Sequence, residues 1–154
     1  MKPTPPDWPR LSVALFYDDP RRAIGWLCEA FGFTVRMVID GPGGQVAHSE
    51  LDYGEARVMV AGAGQAYCGT DPWRERLASP AMAGRKLTAN LFVYVDDADA
   101  HCAAARAAGA EIVSEPQTVD YGAEHWSDRN YAAYDCEGHL WWFAQRIATK
   151  GKPA

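Results

Sequence analysis

The chain has 154 residues, with 20 Asp and Glu against 15 Lys and Arg, and its net charge is −5; 48% of it is hydrophobic and 23% charged. That is enough to bury a sizeable core in one domain or in two small repeated units. The acidic balance and scattered basic residues exclude free nucleic acid and anionic membrane as natural partners, and no apolar run approaches the roughly 20 residues needed to span a bilayer.

The start, MKPTPPDWPR, lacks the apolar centre of a signal peptide. Residues 1–9 read as an arm carrying Trp8. From residue 10, LSVALFYDDPRRAIGWLCEAFGFTV reads as a strand, an Asp-Asp turn, a helix, a glycine stop and another strand. Ile24, Leu27, Cys28 and Phe31 give that helix one apolar face, and Gly32 sits where an open-sided residue ends a helix at low cost. Strand-like FTVRMVID, QVAHSELD and ARVMVAG follow, separated by the turn-forming GPGG and YGE. Residues 10–61 therefore read as β-α-β-β-β. Residues 62–86 form a Gly-, Pro- and Ala-containing linker, long for a compact domain and suited to capping something or reaching another subunit.

From residue 87 the pattern returns in ANLFVYVDDADAHCAAARAAGAEIV. Aligning Asp18-Asp19 with Asp96-Asp97 lays Ser12 on Asn90, Ala14 on Phe92 and Phe16 on Tyr94. The second helix is Ala-rich and stops at Gly109; AEIVSEP, DRNYAAYD and HLWWFAQ supply three more strands. Residues 87–147 are thus a second βαβββ module, and residues 148–154 a tail. The expected fold class is α+β, with two such modules in tandem. Cys28, Cys68, Cys102 and Cys136 lie far apart without metal-finger spacing, so a reduced, cytoplasmic protein without a disulfide framework is expected.

The segment YDCEGHLWWFAQ, residues 134–145, is the densest in chemically capable side chains. Asp135 to His139 reads as a hairpin turn, with Gly138 supplying the unusual backbone angles, His139 at the turn's edge and Cys136 as a thiol without an adjacent base. Trp141 and Trp142 must point to opposite faces of the strand that follows.

Two βαβββ modules ending in an Asp-x-x-Gly-His turn and an aromatic strand resemble the vicinal oxygen chelate superfamily, which holds glyoxalase I, extradiol dioxygenases and bleomycin-resistance proteins. The resemblance covers roughly residues 10–147. SDRNYAAYDCEGHLWWFAQ is most similar to the bleomycin-resistance branch, with Cys136 where Pro is common. It implies a curved mixed sheet with a concave cavity. It also implies one metal ligand from the first and one from the last strand of each module. Carried over, those positions are Ser12, Asn90, Met59 (Val58 if the turn is one residue shorter) and Trp142. A hydroxyl, an amide, a thioether and an indole are no ligand set for a divalent ion, so no metal, no cofactor and no catalytic residue of the usual kind is expected.

On the concave side the resemblance places Trp142, and Phe16, Phe92 and Tyr94 share the parity of the lost ligand positions. With Ser12, Met59 and Asn90 they make a candidate pocket for an aromatic or planar molecule. Tyr131 and Trp126 extend its rim, Trp73 is a candidate lid, and Glu50, Asp52 and Glu124 would favour a cation. Glycopeptide and mitomycin-type antibiotics are ligands of the resembling branch, and nothing in the sequence selects among them. The expected function is metal-free binding or sequestration of a small molecule in a homodimer cleft walled by both chains. The arm either straps the partner or packs Trp8 on its own chain. The alternative is a metal-dependent lyase, isomerase or dioxygenase with relocated ligands His48, Glu50 and His125. A third reading is acid–base catalysis by Glu50 or Asp52.

Overall fold

A computed structural model describes residues 2–150. The chain divides into two compact units, Met1–Arg85 and Lys86–Ala154. The first holds β1 (Val13–Tyr17), α1 (Pro20–Phe31), β2 (Thr34–Asp40), β3 (Val46–Tyr53) and β4 (Ala56–Gly62). The second holds β5 (Leu91–Tyr94), α2 (Ala98–Ala107), β6 (Glu111–Asp120), β7 (Trp126–Tyr134) and β8 (Leu140–Thr149). Each unit carries its own four-stranded mixed sheet, ordered β1-β4-β3-β2 and β5-β8-β7-β6. The first and last strands of each module pair in parallel, and the other neighbours are antiparallel. This is the α+β architecture of two βαβββ modules.

The Asp-Asp turns work as helix starts. The Asp19 carboxylate accepts from the backbone N–H of Arg22 at 3.0 Å, and Pro20 occupies the first turn, where a missing N–H costs nothing. Asp97 caps α2 in the same way through the N–H of Ala100 at 2.9 Å. Gly32 closes α1 at φ 74°, a left-handed conformation that favours glycine.

Each helix buries one face on its own sheet, but the two cores are built oppositely. In the first unit, Ile24, Leu27 and Phe31 of α1 are buried, as are the aliphatic Leu15, Leu51, Val58 and Val60 of the sheet. Each such side chain contributes about 1.5–3 kcal/mol by leaving water. In the second unit the helix brings only Ala98, Cys102 and Ala105, and the sheet supplies the bulk through Tyr131, Trp141 and Phe143. The ring of Phe143 stacks on Tyr131 at 5.2 Å and on Trp141 at 6.2 Å. Small helix residues and large sheet residues are the complementary halves of one packing solution.

Residues 62–85 of the expected linker belong with the first unit and contain short helical turns at Gly64–Ala66 and Arg74–Arg76. Ser79 fastens them, donating from its hydroxyl to Asp18 at 2.6 Å. At the C-terminal end β8 runs through Thr149, so the first residues of the expected tail are strand; residues 151–154 of that tail lie outside the described residues. Among the described residues no helix is long and apolar enough to cross a membrane.

Candidate functional site

Residues directly opposite in a sheet share a face, so the registers decide which side chains turn away from the helices. In the first unit, Ala14 pairs with Met59 and Phe16 with Ala61, while Val58 and Val60 lie among the buried helix-facing residues. Phe16 and Met59 therefore share the helix-free face, both half-buried. Ser12, just before β1, is half-buried, and its hydroxyl oxygen is enclosed without a hydrogen-bonding partner among the described residues.

The same face carries a charge network. Glu50 is only 6% exposed and meets three cationic or polar groups: His48 Nε2 at 2.9 Å, Arg36 Nε at 3.1 Å and Arg57 Nη1 at 3.6 Å. Arg57 also forks onto Asp52, with N–O distances of 2.6 and 3.0 Å. The hydrogen bond from Arg57 holds the Asp52 carboxyl below the usual carboxylate range, outweighing the effect of its partial burial. The arm completes the arrangement: the Trp8 ring lies 4.8 Å from the Arg57 guanidinium, and Arg57 Nη1 donates to the Asp7 carbonyl at 2.8 Å. In this chain, then, Trp8 packs on its own module.

This network alters three expectations. A divalent ion at Glu50 would sit beside two fixed guanidiniums, so the residues present do not fit the relocated metal site built on His48 and Glu50. A carboxylate with a lowered pKa is a weaker base, which argues against Asp52 as a catalyst. Glu50 and Asp52 are both offset by arginine, so they supply no surplus negative charge for a cationic ligand. The thiols of Cys28 and Cys102 are pushed up by burial, the opposite of what activates a nucleophile.

In the second unit, Phe92 pairs with Trp142 and Tyr94 with Ala144, opposite in parity to the buried Trp141 and Phe143. Phe92 and Tyr94 are 52% and 48% exposed and meet edge to face at 5.5 Å; Trp142 beside them is half-buried. Asn90 is exposed just before β5 begins. Two further residues on this face have no counterpart in the sequence-based pocket. Arg146 on β8 pairs in register with Asp128 on β7 and forms an ion pair with it. The Arg146 guanidinium also lies 5.2 Å from the Tyr94 ring and 4.9 Å from the Trp126 ring, and it donates to the Tyr94 hydroxyl. Burial, chiefly, pushes the Tyr94 phenol above its ordinary range. The period-2 parity of β8 would have revealed Arg146, four residues beyond Trp142.

One rim expectation falls. Tyr131 is not on the pocket rim: it is fully buried, pairs with Phe143 and bonds through its hydroxyl to His101 Nδ1 at 2.6 Å. Trp126 does reach the open face, through Arg146. Trp73 packs on Tyr67 at 5.4 Å within the linker. The turn ahead of β8 is organised by Asp135, whose Oδ1 accepts from the backbone N–H groups of Glu137, Gly138 and His139 at 2.9–3.0 Å. Its Oδ2 accepts from Trp141 Nε1 at 3.0 Å. Gly138 has φ 98°, as that turn requires. A hollow of about 350 Å³ lies elsewhere, lined by Gln45, Gln65, Tyr67, Cys68, Thr70 and Arg74, and contains none of the sequence-predicted site residues.

The model of the Glyoxalase/Bleomycin resistance protein/Dioxygenase superfamily matches residues 11–143, most of both modules. The chain belongs to this superfamily. Among solved structures of similar fold is TioX from Micromonospora sp. ML1, 33% identical, with a TM-score of 0.65 over 91% of this chain and 100% of TioX. Another is TnmS3 from Streptomyces sp. CB03234, described as an antibiotic binding protein: 16% identical, TM-score 0.58, covering 88% of this chain and 93% of that one. A third is a glyoxalase/bleomycin resistance protein/dioxygenase family enzyme from Burkholderia phytofirmans PsJN, 20% identical at a TM-score of 0.59, over 88% and 97% of the two chains. At 16% and 20% the likeness concerns the fold. No curated protein sequence matches the chain.

Proposed function

We propose that this superfamily member binds a small aromatic or planar molecule without a metal, sequestering it on the helix-free sheet faces. The observation that carries the reading is the pair of half-exposed rings, Phe92 and Tyr94, beside Trp142 on a face that no helix of the second unit covers. In the first module Ser12, Phe16 and Met59 form the corresponding candidate surface of its own sheet, and Asn90 adds a polar anchor in the second. Each aromatic contact is worth about 0.5–1.5 kcal/mol beyond its burial, so three or four rings support micromolar affinity, roughly 8 kcal/mol. That the fold serves an antibiotic binding protein, TnmS3, is consistent with such a role.

The working form in this proposal is a twofold homodimer, because half-exposed large apolar side chains on sheet faces are costly in water unless covered. Light scattering at micromolar concentration is expected to give twice the 16.9 kDa chain mass. A mass equal to one chain removes the dimer from the proposal.

Titration with bleomycin and with mitomycin C, followed by tryptophan fluorescence, tests the binding reading. Quenching that saturates in wild type and is lost in Trp142→Ala is the expected result. Equal affinity in the two proteins would show that the assigned face is wrong.

A further inference from the structure

Arg146 gives the second module's open face a fixed polar point. Its Nε donates to Asp128 and its Nη2 to the Tyr94 hydroxyl, while Nη1 meets no acceptor among the described residues. Two aromatic rings, Tyr94 and Trp126, hold the guanidinium within about cation–π distance. Asp128 is 2% exposed, so it orients Arg146 from beneath without offering its own charge to solvent, whereas 36% of the Arg146 side chain remains exposed. A donor already held by an ion pair, a hydrogen bond and two rings loses little further freedom when a ligand arrives. Beside it stand the half-exposed rings of Phe92 and Tyr94.

We infer that Arg146 determines specificity on this face, donating through Nη1 to an acceptor oxygen on the edge of a planar aromatic ligand that stacks beside Phe92 and Tyr94. The inference rests on the binding reading above and adds the chemistry of the ligand. Because Asp128 offsets the guanidinium charge, the acceptor is a carboxylate or a ring-bound neutral carbonyl, and a cationic substituent at that position is disfavoured.

Calorimetric titration with 2-naphthoate, 2-naphthamide and 2-methylnaphthalene separates the possibilities. Wild type is expected to hold at least one of the oxygen-bearing probes about fivefold tighter than 2-methylnaphthalene, the worth of one added hydrogen bond. Arg146→Met, which keeps an unbranched chain between the two rings, is expected to erase that advantage, so that the oxygen-bearing probes bind no tighter than 2-methylnaphthalene to the same variant; Arg146→Lys restores part of it. An advantage confined to 2-naphthoate identifies the carboxylate as the acceptor, and one confined to 2-naphthamide identifies the carbonyl; either supports the role of Arg146. An advantage that survives in Arg146→Met overturns the inference, as does its absence in wild type that binds 2-methylnaphthalene. Failure of all three probes, of bleomycin and of mitomycin C to bind wild type overturns the binding reading and the inference with it. Since Arg146→Met alone strands the buried Asp128, the double variant Asp128→Asn, Arg146→Met is measured in parallel and read by the same criteria.

Discussion

The indole N–H of Trp141 donates to the carboxylate of Asp135 at 3.0 Å, joining the turn before β8 to the core residue that follows it. Asp135 also accepts from three backbone N–H groups of its own turn. Asp135→Ala strands these donors in a largely buried site, and a loss of about 3 kcal/mol in unfolding free energy is expected. Urea denaturation at pH 7 measures it. An unchanged midpoint would mean that the turn is held by Gly138 and the strands alone.

Adjacent tryptophans are expected to behave differently. Trp141 is fully buried and stacked on Phe143, so Trp141→Ala should cost about 4 kcal/mol, in the range of buried large aromatics. Trp142, half-buried on the opposite face, should lose ligand-induced quenching on truncation while the melting temperature falls much less. Melting curves and fluorescence titrations on the two variants give the comparison; equal destabilisation would place Trp142 in the core.

The Asp52–Arg57 fork predicts an acid limb in stability. Asp52 has a lower pKa in the folded chain than in an unfolded one, so the folded state binds its proton less readily. Its contribution is present at neutral pH and is lost as pH falls below the ordinary carboxylate range, about pH 4. Asp99, held low by Arg129, and Asp120, held low by Lys150, act in the same direction. Denaturation midpoints between pH 7 and pH 3 should therefore fall, and Asp52→Asn should make the fall shallower. An identical slope in the variant would show that Asp52 contributes nothing to the limb.

At alkaline pH the phenol of Tyr94 is expected to ionise later than an ordinary tyrosine, because burial raises its pKa more than the hydrogen bond from Arg146 lowers it. Tyr67 should also titrate late, through its own burial and its bond to Asp71. Absorbance at the phenolate band during a rise in pH should show this delayed component, and Tyr94→Phe should reduce it. No change on substitution would mean that the Tyr94 phenol titrates as if in water.

Local chemistry made much of the molecule legible before any fold was known. Capping by Asp19 and Asp97, the stop at Gly32, the turn from Asp135 to Gly138 and the opposite orientations of Trp141 and Trp142 depend on neighbours a few residues away. Side-chain type and spacing therefore carry them. The repeated βαβββ order follows from the same signals read twice. Tyr131 shows where this legibility stops. Its face is decided by the register of β7 against β8, which pairs it with Phe143, and a one-residue slip would have turned it outward.

The charged constellations belong wholly to the tertiary structure. Arg57 meets Trp8 and Asp7 across a long stretch of chain, and Arg146 on β8 meets Tyr94 on β5 and both Trp126 and Asp128 on β7. Sequence alone determined that Glu50 and Asp128 are carboxylates; only the folded sheets made them buried partners of guanidiniums. The reason is physical: a charge leaves water only where opposite charges and hydrogen-bond donors converge, and that convergence is set by strand register and packing, not by nearness in the chain.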